Sequence, residues 1–150
     1  MMLDEIDRAL LKALQLDAAQ STTRLGKKLG LSQPATWRRI KRLQEIGVIR
    51  GRQLRLDAEK LGFRVTVFLG IKLATKGRVS LEDFERAIGG IPEVQTVDHV
   101  LGLYDYRLRV VARDLADFER VLRRRIMTLP GVGDVEANVL LSEERRPGPL

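Results

Sequence analysis

Ser21-Thr22-Thr23-Arg24-Leu25-Gly26-Lys27-Lys28-Leu29-Gly30-Leu31-Ser32-Gln33-Pro34-Ala35-Thr36-Trp37-Arg38-Arg39-Ile40-Lys41-Arg42-Leu43 is the most informative stretch of this chain. Ser21 can cap a short helix that carries Leu25 and Leu29 on one face, and Gly30 supplies the left-handed residue that ends it. Leu31 follows as an apolar plug. Ser32 can cap the next helix, with Pro34 in its first turn, where a missing N–H costs little. Thr36, Ile40 and Leu43 then recur at helical spacing and face inward. Two helices joined by a short turn around Gly30-Leu31-Ser32 have the geometry of a helix-turn-helix.

Upstream, Leu3, Ile6, Leu10 and Leu14 mark an amphipathic first helix. Downstream, the third helix stops at Gly47, and Val48-Ile49 lead toward a strand. In residues 50–57, Leu54 and Leu56 alternate with polar neighbours, which predicts a linker strand and a winged-helix-like domain. Residues 58–62 read as a helical turn into a second domain. Residues 1–62 thus form the expected helix-turn-helix domain with its linker strand.

The outer face of the third helix explains what such a domain would meet. With Thr36, Ile40 and Leu43 turned inward, Gln33, Trp37, Arg38, Lys41 and Arg42 face outward. Arg suits guanine edges and Gln suits adenine, and Arg and Lys neutralise phosphates. Together with Ser32 at the cap, these are the candidate DNA-contacting residues. Trp37 has two readings, covering thymine methyls or sugar on DNA or tucking against the second helix as core. Arg39 is equally open to a structural role on carboxylates or carbonyls. Charge agrees with a polyanionic partner: the chain carries +7, and residues 1–62 hold 13 Lys/Arg against 7 Asp/Glu, whereas the remainder holds 14 against 13.

The second half, residues 63–150, contains a repeat. Asp83-Phe84-Glu85-Arg86 recurs as Asp117-Phe118-Glu119-Arg120, and each copy leads to a Pro/Val element, Ile91-Pro92-Glu93-Val94 and Leu129-Pro130-Gly131-Val132. Strand patterns lie at residues 65–73, 94–101, 106–112 and 135–141. The order β-α-β-β-α-β is a duplicated split-βαβ unit, so the chain is α+β, with a C-terminal ferredoxin-like domain and a short mobile tail from Glu143. Two helices cover one sheet face, and the other, left apolar by strand alternation, calls for a second copy of the chain. Between the second and third strands lies Gly102-Leu103-Tyr104-Asp105-Tyr106. It reads either as a hairpin turn with tyrosines at its base or as a ligand loop in which Asp105 meets an ammonium group.

Taken together these pieces resemble the Lrp/AsnC (feast/famine) regulators. The carrying motifs are Leu3-Asp4-Glu5-Ile6-Asp7, Gly30-Leu31-Ser32, Arg39-Ile40-Lys41-Arg42-Leu43 with Gly47-Val48-Ile49, the loop of residues 102–106, and Leu129-Pro130-Gly131-Val132. The resemblance runs from Leu3 to about Glu144. It implies a sequence-specific DNA-binding transcriptional regulator that dimerises through the ferredoxin-like domain, with dimers assembling into octamers. It also implies that an amino acid binds between subunits near Gly102, Tyr104, Asp105 and Tyr106. The chain departs from the family pattern at Leu101, where a small hydroxyl residue is common, and at Val135 and Ala137, which align with threonines. An effector there is expected to be hydrophobic or aromatic, since a buried ammonium or carboxylate without partners is costly.

Two other functions fit parts of the sequence. Four basic residues on one helix also suit a weakly specific architectural DNA-binding protein. A tetrapyrrole decarboxylase of similar architecture would use the single histidine, His99, near Asp98 and Asp105, but no nucleophile–base pair, metal spacing or phosphate loop accompanies it. Neither an enzyme nor a cofactor is expected. The chain has no cysteine, and its acidic start has no long apolar core, which fits a cytoplasmic protein.

Overall fold

The structure is a computed structural model that describes residues 2–74 and 78–150, apart from the side chains of Arg78 and Val79. It divides into two compact units, one of residues 1–55 with 144–150 and one of residues 56–143. The division lies between Arg55 and Leu56, ahead of the boundary near Gly62 expected from sequence.

The first unit is built on three helices, α1 (Glu5–Leu16), α2 (Thr22–Leu29) and α3 (Gln33–Glu45). Asp4 caps α1 reciprocally with Asp7: the Asp7 N–H donates to Asp4 Oδ1 at 2.7 Å, and the Asp4 N–H to Asp7 Oδ2 at 3.2 Å. Ser21 and Ser32 cap the next two helices by accepting from the backbone N–H groups of Arg24 and Ala35. Gly30 takes a φ of 68°, so the chain leaves α2 in the left-handed conformation that glycine tolerates. Gly26 has a different role. A Cβ there would lie 2.6 Å from the Leu31 carbonyl oxygen and 3.0 Å from Thr36 Oγ1, so its missing side chain lets the turn and α3 press against α2. Leu10, Leu11, Leu25, Ile40 and Leu43 form the core, with Thr36 buried beside them.

The linker strand is absent. After the turn at Gly47 the chain bends at Val48 and Ile49, residues 50–57 pair with no other described segment, and Leu54 is 88% exposed. Alternation alone does not make a strand; the N–H and C=O groups also need a ladder partner, and the first unit offers none. Residues 58–62 do form a turn, closed by N–H bonds from Gly62 to the Glu59 carbonyl and from Phe63 to that of Ala58.

The second unit holds β1 (Val65–Leu73), α4 (Arg78–Ile88), β2 (Val94–His99), β3 (Tyr106–Ala112), α5 (Leu115–Val121) and β4 (Val132–Val139). The sheet order is β2-β3-β1-β4, antiparallel throughout. α5 continues into a π-helical stretch, Leu122–Ile126. β4 begins earlier than the expected residue 135, because Gly131 (φ 75°) turns the chain directly after Pro130. β2 ends earlier than the expected residue 101.

The repeat explains how the helices attach. Phe84 of α4 and Phe118 of α5 are both buried against Val67, Leu69, Ile71, Leu108 and Val110. The opposite sheet face differs from expectation. Its central strands carry Thr66, Phe68, Gly70 and Lys72 on β1, facing Arg107, Arg109 and Val111 on β3. Register brings Asp98 and Glu136 into the same row as Arg107 and Gly70. This face is therefore polar and charged, not apolar. Phe68 and Val111 excepted, strand alternation places the large apolar residues of β1 and β3 on the helix side, while Lys72, Arg107, Arg109, Asp98 and Glu136 make the other face ionic.

Candidate nucleic-acid interface and effector loop

Helix α3 separates its basic residues into two groups. Arg38 is exposed, and Lys41 holds its ammonium 4.8 Å from the centroid of the Trp37 ring. Trp37 is 47% exposed, so of its two readings the surface one applies in this fold. The cation over its face gains from the ring quadrupole and keeps both side chains on the outer surface.

The other group turns toward α1. Asp7, at 1% side-chain exposure, accepts from Arg39 at 3.0 Å and also from Arg42, while Arg39 reaches Asp4 at 2.7 Å. Burial alone would raise the Asp7 carboxyl above its ordinary value. The hydrogen bonds from Arg42 and Arg39 outweigh it, and the net shift is downward. Asp4 is also lowered, mainly by the Asp7 backbone N–H and then by Arg39. Arg42 is thus held by a buried carboxylate rather than standing free on the outer face as expected. Arg42 lies one turn beyond Arg38 and so on nearly the same side of α3; what separates them is the Asp7 carboxylate, which holds Arg42 and leaves Arg38 exposed. The carboxylate that claims it, Asp7, lies 35 residues upstream, beyond any local pattern.

Gln33 and Ser32 mark the start of the helix. The Ser32 hydroxyl is committed to its cap, accepting from the Ala35 N–H at 3.2 Å. Gln33 Nε2 donates to Thr22 Oγ1 at 3.0 Å, across the mouth of the two helices. Sequence reasoning did not find Thr22. Its only signal was its place in the first turn of α2, eleven residues before Gln33.

The loop of residues 102–106 sends its side chains in different directions. Gly102 is exposed, with nothing within 4 Å of where a Cβ would stand. Tyr104 lies on the uncovered sheet face with its ring over Gly70, where a Cβ would come within 2.8 Å of ring carbons. A hydrogen bond with Glu136 raises its phenol above the ordinary value. Asp105 is tied into β1: its N–H donates to the Ile71 carbonyl at 2.8 Å, and its Oδ2 accepts from the Leu73 N–H at 2.8 Å. Tyr106 is fully buried on the helix side, between Phe84 and His99 at centroid distances of 4.6 and 4.8 Å. Its hydroxyl donates to Glu85 at 2.5 Å, and burial followed by that carboxylate pushes its pKa strongly up.

Asp105 therefore does not stand as an open anchor flanked by two aromatic faces. Residues 101–105 form a bend and β3 begins only at Tyr106, so strand alternation does not govern Tyr104, and its ring lies on the opposite side of the sheet from Tyr106. Val135 and Ala137 pair with Ile71 and Leu69, on the side of Tyr106 and away from Tyr104. What the loop does present outward is Leu101 and Leu103, both exposed.

A capped helix-turn-helix with a basic outer face, followed by a four-stranded α+β domain, defines a DNA-binding transcriptional regulator. Residues 3–44 match the AsnC-type helix-turn-helix domain and residues 66–150 the Lrp/AsnC ligand binding domain. The chain belongs to the Lrp/AsnC family. It is 36% identical over 145 residues to the transcriptional regulator AzlB of Bacillus subtilis, covering 97% of this chain and 92% of that protein. An AsnC family transcriptional regulator from Agrobacterium tumefaciens superposes with a TM-score of 0.88 at 34% identity, covering 99% of this chain and 96% of the other. A transcriptional regulator of Neisseria meningitidis, solved in complex with L-methionine, superposes with a TM-score of 0.90 at 25% identity, covering 97% and 94%.

Proposed function

We propose that this regulator reads its operator with Gln33, Trp37, Arg38 and Lys41 of α3, and that a hydrophobic amino acid bound beside Tyr104 modulates it. The observation that carries the DNA half is the split on α3. Arg39 and Arg42 are engaged by Asp4 and Asp7, while Arg38 and the Trp37–Lys41 pair stay on the open face. Arg38 is the base reader, suited to guanine, and Lys41 neutralises phosphate.

The effector half rests on the uncovered sheet face. Arg107 and Glu136 both lie in register with Gly70, and the Tyr104 ring covers that glycine. They offer opposite charges for the ammonium and carboxylate of an amino acid. The exposed Leu101 and Leu103, which flank Gly102 in the same loop as Tyr104, supply apolar surface, and a second copy of the chain encloses the ligand. The Neisseria relative bound to L-methionine supports this class of effector. The regulator works as a dimer, with octamers as the larger assembly, and acts in the cytoplasm by binding rather than by catalysis. No described helix is long and apolar enough to cross a membrane.

Selection of bound duplex from a random pool, with and without amino acids, tests both halves. The expected result is an enriched motif whose yield changes with methionine, leucine or phenylalanine. Affinity should fall with salt at about 0.9 in log–log slope per phosphate neutralised. A pool that emerges without sequence preference overturns the DNA half. Calorimetry that finds no binding of any of the twenty amino acids overturns the effector half.

A further inference from the structure

We infer that Thr22 is a specificity-determining positioning residue: it holds the Gln33 amide so that Gln33 reads adenine. The inference deepens the DNA-binding reading of α3 and rests on it. Gln33 is the first residue of α3 and Thr22 the first residue of α2. The turn between the helices brings these two ends together, and Gln33 Nε2 donates to Thr22 Oγ1 at 3.0 Å. The Ser21 hydroxyl is already committed to the Arg24 N–H at 3.1 Å, so within this mouth Thr22 is the hydroxyl that serves the glutamine.

A glutamine side chain carries two N–H donors and one carbonyl acceptor. With one N–H given to Thr22, one N–H and the Oε1 remain. That is the pair adenine demands in the major groove, a donor for N7 and an acceptor for the N6 amino group. A free glutamine on an exposed helix end samples many rotamers and must be ordered when DNA arrives. The bond to Thr22 biases it toward the reading rotamer beforehand, and less freedom is lost on binding. The bond is worth little while water surrounds it. It strengthens when the groove closes over the pair and water leaves. Thr22 itself need not touch a base.

The test is selection of bound duplex from a random pool with the full chain and its Gln33→Ala, Thr22→Val and Thr22→Ser variants, each first checked by thermal melting. Wild type should enrich adenine at one position, by an amount on the order of five- to a hundred-fold over the other bases. Gln33→Ala should erase that enrichment. Thr22→Val, which keeps the shape and loses the hydroxyl, should cut it severalfold at that position alone and leave affinity for unselected DNA unchanged. Thr22→Ser should restore it, and Thr22→Ala replaces the valine variant if valine disturbs the first turn of α2. The proposal is overturned if Thr22→Val keeps the full adenine preference, or if Thr22→Ser loses it as valine does. A uniform loss across all positions also overturns it, since that assigns Thr22 to the DNA backbone or to the fold. Enrichment elsewhere with Gln33 indifferent defeats the pair alone, whereas no enrichment at any position defeats base reading by α3 as a whole.

Discussion

Helix α3 and the loop of residues 102–106 both crowd polar and aromatic side chains into a few positions, yet they deploy them differently. On α3 the helical period gathers Trp37 and Lys41 on one side and sends Arg39 and Arg42 to another, so each side keeps one task. In the loop no regular period holds, because residues 101–105 are a bend and β3 begins only at Tyr106. Tyr104 goes to the uncovered face, Tyr106 to the core, and Asp105 to the backbone of β1. Adjacent residues in sequence cooperate in the first case only where they are a turn apart. In the second they are dispersed because an irregular bend gives them no common face.

The largest effect that could break this comparison is at Asp7. Replacing it with Ala leaves Arg39 and Arg42 without their shared buried carboxylate and removes half of the α1 capping box. Unfolding of the first unit should become easier by about 3 kcal/mol in a chemical-denaturation experiment on the full chain. Arg42→Ala should follow with only about 1 kcal/mol, since its side chain is 42% exposed. If Arg42→Ala instead leaves stability intact and flattens the salt dependence of DNA binding, the arginine belongs to the outer face after all.

Arg38→Ala should leave the melting curve unchanged and relax base preference at one or two positions, by roughly 1–3 kcal/mol if it reads guanine. An unchanged ranking of DNA sites would move base reading off this residue.

Gly70→Ala sharpens the loop side of the comparison. The added methyl would sit 2.8 Å from the Tyr104 ring, so the ring must leave the sheet. The expected cost is about 1–2 kcal/mol, by overpacking. The response to amino acids should be lost with little change in DNA affinity when none is added. A variant that still responds places the effector elsewhere.

The smallest effect is with acid. Asp4 and Asp7 titrate below their ordinary values in the folded state, so the unfolded chain takes up protons first as pH falls. Their contribution is complete above the unfolded carboxyl value of about 3.9 and drains away as pH drops through the folded values. Melting temperatures taken through this window should fall faster for wild type than for Asp7→Asn. Equal slopes would show that the cluster does not couple folding to protons.

Much was legible from local pattern. The caps Ser21 and Ser32, the turn at Gly30, the inward face of Thr36, Ile40 and Leu43 and the duplicated Phe84/Phe118 helices each depend on residues within about one turn of one another. Nothing local could place Arg42 on Asp7, Gln33 on Thr22 or the Tyr104 ring on Gly70, because each contact joins residues that only chain reversal brings together.

What the sequence by itself determined, then, is which segments become helices and strands and which face of each is apolar. Those follow from period, capping chemistry and turn residues, all short-range. Only the tertiary structure decided which charges are spent inside the fold and which remain on the surface. A carboxylate or a hydroxyl acts over a few ångströms of space, not of sequence. Thus Asp7 withdraws Arg39 and Arg42 from the face that keeps Arg38, the Leu73 N–H claims the loop carboxylate that the sequence offers as an anchor, and residues 50–57 form no strand because no described segment of the chain offers them a ladder.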